Sequence, residues 1–207
     1  MDNKHANLAE TLKRDIAFTS GNYGQMYNRF LRRDWASRLL IVYYSIVTIV
    51  YTLCSVCFPN YFTNSNLLNF CSICVSIVAL VASLMVSFAK YAERSLEAMK
   101  ALDSIKRLKK ELAKYSDADL FNNNYEIYDD FVKRYHEIVD QVELRADVDY
   151  FRTCKSYKNH ENYSDSWKRL NCFQQAIAHT ACLIEYGIYV ALAIAPIITL
   201  LRCISIN

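Results

Sequence analysis

Three glycines and two prolines in 207 residues leave little turn chemistry, which argues against an all-β fold and for long helices. The first thirty-eight residues are charged and hold no apolar core segment, so no cleavable signal peptide is expected there. The histidines His5, His136, His160 and His179 are dispersed, and the chain carries neither a Gly-rich phosphate loop nor a nucleophile elbow. Neither an enzyme nor a cofactor is therefore expected. A formal charge of +3 is too small to imply a nucleic-acid partner.

The largest absence is of charge from one stretch. Leu39 to Ala89 is fifty-one consecutive residues without Asp, Glu, Lys, Arg or His. Its halves, 39–58 and 70–89, are each twenty mostly apolar residues, and at about 1.5 Å per residue such a helix crosses the roughly 30 Å hydrocarbon core of a bilayer. Between them, Pro59 and an Asn-rich segment make a turn with aromatic rings suited to the headgroup layer. The overall composition, 53% hydrophobic and 22% charged, conceals this hairpin because a polar remainder averages it out. Lys and Arg near the ends of a span are retained in the cytoplasm. Arg29, Arg32, Arg33 and Arg38 precede the first span, and Lys90, Arg94, Lys100, Lys106, Arg107 and Lys109 follow the second. Both ends of the hairpin are thus expected in the cytoplasm, with loop 59–69 outside.

Within the first span Ser45, Thr48, Thr52 and Ser55 recur at intervals of three and four, which puts their hydroxyls on one face. These are the candidate pore-lining residues. In the second span Ser72, Ser76, Ala79, Ser83 and Ser87 form a smaller stripe suited to helix packing. Either stripe can serve plain packing, and lining a water-filled path needs several copies, because two spans enclose nothing. Cys54-x-x-Cys57 and Cys71-x-x-Cys74 resemble zinc half-sites, and folding about the loop sets Cys57 level with Cys71 and Cys54 with Cys74. Cysteine is also an ordinary small apolar residue in such helices, and packing is the favoured reading over a disulfide or a metal.

Residues 1–38 read as two helical pieces broken at Gly21-Asn22-Tyr23-Gly24, either lying along the membrane surface or capping the later helices. After Ala89 the second span is expected to continue as one helix to about Tyr115, and a second long helix starts near Tyr125 with Tyr128, Phe131, Tyr135, Ile138 and Val142 on one face. Lys90 to Lys114 holds eight basic and four acidic residues, whereas Asp117 to Asp149 holds three basic and ten acidic; an antiparallel helical hairpin would set these opposite signs together, and solvated faces alone would also explain each count. Asp147-Val148-Asp149 carries no metal-nucleotide site, since on a helix these side chains point apart. Ser164 or Asp165 caps a final helix beginning at Ser166. Its stretch 181–201 contains one charge, Glu185, and one proline, Pro196, and fits a third span running inside to outside, the alternative being an apolar helix packed on the inner leaflet or against its neighbours. An ionisable residue within such a span, here Glu185, is a functional candidate.

The chain is accordingly read as an all-α membrane protein. Cytosolic or interfacial helices occupy 1–38, a transmembrane hairpin 39–89, a cytosolic helical region 90–180, and a C-terminal membrane segment 181–201. A basic N-terminus with Tyr27-Asn28-Arg29-Phe30, the uncharged hairpin, the helix directly after it, Tyr135-His136-Glu137-Ile138 and the segment Asn159 to Asn162 together resemble the SLATT domain of bacterial conflict systems, in a variant with a longer C-terminal extension. The resemblance implies an inner-membrane effector that acts with an upstream sensor, often a nucleotide-messenger synthase or a reverse transcriptase, or with its signalling nucleotide. On phage infection such effectors perforate the membrane as homo-oligomers and arrest or kill the cell. The alternative is a membrane-anchored helical scaffold without conductance. The third apolar segment departs from a bare two-span pattern.

Overall fold

A computed structural model describes residues 2–57, 65–115, 126–143, 146–159 and 164–205. Among them every regular element is a helix: α1 (Asp2–Cys57), α2 (Ser65–Ala89), α3 (Tyr91–Leu112), α4 (Glu126–Asp140), α5 (Asp147–Ser156), α6 (Ser164–Lys168) and α7 (Cys172–Ser205). Most of loop 59–69, the Asn122–Asn124 break, His160 to Asn162 and Asn207 lie outside the described residues. The chain forms two units, Met1–Phe30 with Ala92–His179 and Leu31–Tyr91 with Thr180–Asn207, and α1 and α7 contribute residues to both.

In the first unit the expected break at Gly21 to Gly24 does not occur, and α1 runs through it. Gly21 serves close approach instead of a turn: a Cβ there would stand 2.7 Å from Thr153 Cγ2 and 3.1 Å from the Tyr157 ring. A mid-helix glycine costs about 0.5–1 kcal/mol against alanine, and the buried neighbours Asn22, Tyr23 and Met26 show the packing that offsets it. Gly24 has open space around it, and nothing in the structure explains it. Ala9, Leu12, Ile16, Thr19, Tyr23, Met26 and Phe30 are all buried, alternating three and four apart as in a heptad seam. Met26 and Phe30 thus belong to this core and not to a membrane surface.

On α3 the buried stripe is Ala98, Ala101, Ile105, Leu108 and Leu112, while Leu96 and Met99 are exposed. The acidic helix answers it antiparallel: Arg94 Nε donates to Glu143 Oε2 at 2.8 Å, and Arg134 Nη2 to Glu111 Oε2 at 2.6 Å. Cys154, Trp167, Leu170 and Ala178 form a small cluster with Phe18, Tyr150 and Phe151 packed on it. The final helix begins at Cys172 and not at Ser166, after the short α6. One half of a capping box marks the later start: the Asn171 amide donates to Gln174 Oε1 at 3.0 Å.

The second unit is the apolar one. Runs within Asn7–Cys57 and Asn69–Leu112 are long and apolar enough to cross a membrane, and Cys172–Ala181 with Leu183–Thr199 passes the same test when counted as one span. The most apolar window of the first is 11% buried and that of the second 0%. Val42, Ile46, Ile49 and Leu53 on α1 and Phe70, Ile77, Leu80 and Phe88 on α2 lie open. Only lipid or other apolar chains can cover so much carbon, which places this unit in a membrane. The expected single helix from the second span to Tyr115 is interrupted by one residue, since Lys90 has φ 48° and separates α2 from α3. The left-handed region costs an L-residue about 1–2 kcal/mol, and it breaks the helical ladder there.

Candidate functional site

Two arrangements bear on what the chain can do, one in each unit. In the membrane unit α1 and α2 are antiparallel: Thr52 Oγ1 lies 3.4 Å from Ser72 Oγ, and Ser55 Oγ donates to Asn69 Oδ1 at 2.5 Å. Of the first-span stripe, Ser45 and Thr52 are exposed and Thr48 and Ser55 half-buried. Ser45 donates to Ile41 O at 2.9 Å, Thr48 to Tyr44 O at 2.9 Å and Thr52 to Thr48 O at 3.0 Å. Each keeps its acceptor lone pairs. Of the second-span stripe, Ser72 and Ala79 are half-buried, and Ser76, Ser83 and Ser87 are exposed. Cys71, Val75, Ala82 and Val86, outside that stripe, are half-buried as well. A hydroxyl surface thus passes from α1 through Asn69 and Ser72 onto α2, within a segment otherwise made of carbon.

The observed register differs from the one expected for the cysteines. With Ser55 opposite Asn69 and Thr52 opposite Ser72, Cys57 lies one helical turn away from the level of Cys71. Cys54, Cys57, Cys71 and Cys74 are not joined in disulfides, and among the described residues no group of three His, Cys, Asp or Glu side chains is placed to hold a metal. Replacing all four cysteines by Ala is expected to leave membrane insertion and oligomer size unchanged, because each swap removes one small apolar group. A mass shift under non-reducing conditions, or zinc in elemental analysis, counts against this.

The third helix of this unit is tied to the first by the candidate Glu185 and by three tyrosines whose part the sequence does not announce. Arg33 Nε donates to Glu185 Oε1 at 2.5 Å. Tyr43 Oη donates to Ala193 O at 2.7 Å and Tyr44 Oη to Leu192 O at 3.0 Å. Tyr51 Oη donates to Pro196 O and lies 2.6 Å from Thr199 Oγ1. Positions on the two helices rise together, so these stretches of α1 and α7 run parallel. Proline has no N–H for the carbonyl four residues back, a loss that costs a helix about 3 kcal/mol. Here that carbonyl is Leu192 O, and Tyr44 supplies the missing donor. Glu185, read from the sequence as an isolated charge, is one half of an ion pair. The available signal was the seven-residue interval from Tyr44 to Tyr51, which keeps both phenols on one face of a span.

In the other unit one buried and one exposed ion pair flank Phe30. Arg29 Nε donates to Asp149 Oδ1 at 3.0 Å and its Nη2 to Oδ2 at 2.9 Å. The Asp149 side chain is 0% exposed. The Arg29 guanidinium lies 4.5 Å from the centre of the Phe30 ring, and Arg94, itself paired with Glu143, lies 4.4 Å from it. Burial pushes the Asp149 carboxyl up from its usual range, against the downward pull of Arg29, the Ala146 backbone and Arg152. Within the Tyr27-Asn28-Arg29-Phe30 segment, Arg29 thus ties α1 to α5 and Phe30 is buried between two guanidinium groups.

The model of the SMODS and SLOG-associating 2TM effector domain family 5 matches residues 5–201. No curated protein and no solved structure matches the chain.

Proposed function

Because the chain belongs to the SMODS and SLOG-associating 2TM effector domain family and is thus a membrane effector of conflict systems, we propose that it forms pores. In this reading several copies associate in the bacterial inner membrane, and the assembly permeabilises it when a partner sensor or that sensor's signalling nucleotide triggers it. The cell is arrested before phage can spread. The observation that carries the reading is the hydroxyl surface from Ser45, Thr48, Thr52 and Ser55 across Asn69 and Ser72 to Ser76, Ser83 and Ser87. Lipid gains nothing from such a surface, whereas water hydrates it, and three helices need neighbouring copies to close a path around it. Release of an encapsulated dye from vesicles bearing the protein, with its trigger present, is the test.

A scaffold that recruits partners and conducts nothing is the second reading. It is favoured by the bonds that Ser45, Thr48, Thr52 and Ser76 make to their own helix carbonyls, which lower the cost of facing lipid. Absence of dye release under every condition decides for it.

The parallel run of α1 and α7 supports three spans, with the C-terminus on the side opposite the N-terminus. The basic flanks put the N-terminus inside. In a cysteine-free background, single cysteines replacing Asn64 and Asn207 are expected to react with an impermeant maleimide from outside, and one replacing Ser104 is not. Reaction at position 104 in intact cells overturns the orientation, and protection of position 207 overturns the third crossing.

A further inference from the structure

On α3, with Lys114 in the turn that closes it, the exposed residues Lys100, Asp103, Arg107, Lys110 and Lys114 alternate three and four apart. On α4 the exposed Glu126, Asp129, Lys133, His136 and Asp140 do the same. Each set is one stripe on one helix face. Each spans fifteen residues, about 21 Å of helix, and the two are opposite in sign. The faces by which α3 and α4 of one chain meet are others: Ile105, Leu108, Leu112 and Phe131 are buried, and the joining ion pairs are Arg94–Glu143 and Arg134–Glu111. Among the described residues none of the ten stripe side chains has an ion-pair partner within the chain.

A solvated face needs no particular order of signs, yet these two are ordered to match. Set antiparallel and level, Lys100 meets Asp140, Lys110 meets Asp129 and Lys114 meets Glu126. The one acid of the basic stripe, Asp103, meets His136, whose ring N–H can donate to it. Only Arg107 against Lys133 sets like against like. Set parallel, the same stripes bring Asp103 onto Asp129 and Arg107 onto Lys133, two like pairs, and keep only two opposite ones. We propose that the α3 stripe of one copy docks antiparallel on the α4 stripe of the next. The proposal rests on the reading that several copies associate, and it names a contact through which they do so. Because the two surfaces differ, the contact is heterologous and passes from copy to copy, as a ring around a path requires. Exposed pairs each add little to affinity. A row of them sets partner and register.

The test co-expresses two differently tagged copies in the cysteine-free background, one with Lys110→Cys and the other with Asp129→Cys, and oxidises the isolated membranes with copper phenanthroline. The mixed disulfide is expected several-fold above either like disulfide. It falls several-fold when the copies meet at about 1 M ionic strength, where the screening length is about 3 Å. Lys100→Glu with Lys114→Glu on the first copy lowers it, Glu126→Lys with Asp140→Lys on the second lowers it too, and the two sets together restore it. All four positions are exposed, so helical content by circular dichroism stays at the parent's value, which separates lost docking from lost fold. Equal mixed and like disulfides overturn the contact, and so does a failure of the combined reversals to restore it. Loss of the mixed disulfide in membranes enriched in phosphatidylglycerol assigns the basic stripe to lipid and overturns it as well. A parent that is monomeric by mass in its membrane defeats the reading of several copies itself, whereas an oligomer lacking this disulfide defeats the contact alone.

Discussion

Replacing Thr48 and Thr52 together by Leu abolishes dye release and growth arrest while the amount of inserted protein stays the same. Both hydroxyls donate inside α1, so their removal costs the fold little beyond the long 3.4 Å contact from Thr52 Oγ1 to Ser72 Oγ. Leucine is also the better membrane-helix residue, which keeps insertion intact. What is lost is hydration of the path. Taking a hydroxyl from water costs about 1–3 kcal/mol by protein mutational data, and two are lost per copy. Release then falls by more than about tenfold, since each 1.4 kcal/mol is a factor of ten. Full toxicity of this variant, with silence of Ser76→Leu combined with Ser83→Leu, moves the path from α1 to α2.

Asp149→Ala is the other large effect, and it acts on stability. The carboxylate is fully buried and meets Arg29 through two bonds. Truncation leaves a buried guanidinium without its counter-ion, which costs about 3–5 kcal/mol out of the roughly 5–15 kcal/mol that hold a domain together. Hydrogen exchange of the α5 amides is expected to speed up by orders of magnitude, and the thermal midpoint to fall by several degrees. Replacing both partners, Arg29→Met with Asp149→Leu, costs less than either single change, because the desolvation of two ions disappears with the pair. Acid response gives an independent check. The carboxyl titrates above its usual range because burial outweighs Arg29. The native state therefore takes up the proton at a higher pH than the unfolded chain does. The cost of keeping this carboxylate ionised is felt above its native pKa and fades as pH falls through it. Acid does not by itself unfold the chain at this residue, whereas Asp149→Ala removes the partner at every pH. A variant as stable as its parent refutes the structural role of the pair.

The parts of the fold that follow from local periodicity and from the absence of charge were legible in the sequence. The uncharged halves of the run from Leu39 to Ala89 and the oppositely charged stretches of α3 and α4 correspond to helices where they were expected. What escaped depends on partners far along the chain. Gly21 reads as a breaker until Thr153 is seen 2.7 Å from where its Cβ would be. Asp149 reads as one of two diverging aspartates until Arg29 meets it across 120 positions. The hydroxyl stripe was visible as a stripe, but its meeting with Asn69 and Ser72 needed the register of the hairpin. That register also shows that Cys57 and Cys71 are not level. The tyrosines that bond α7 each look, in the sequence, like an ordinary aromatic in a membrane helix. Their role appears only when Pro196 leaves Leu192 O without a donor.

Both units draw on the first helix and the last, and this sets the order in which a growing chain can be completed. Tyr51 and Thr199 stand 148 positions apart, and at about 5–20 residues per second the ribosome needs on the order of ten seconds to deliver one after the other. Throughout that interval the hairpin can already enter the membrane, yet the tyrosine hydroxyls of α1 have none of the carbonyls they will bond. Arg29 likewise waits for Asp149. A chain whose synthesis stops early therefore lacks a finished membrane unit, and an aborted translation product of this effector is born incomplete in the part that meets the lipid.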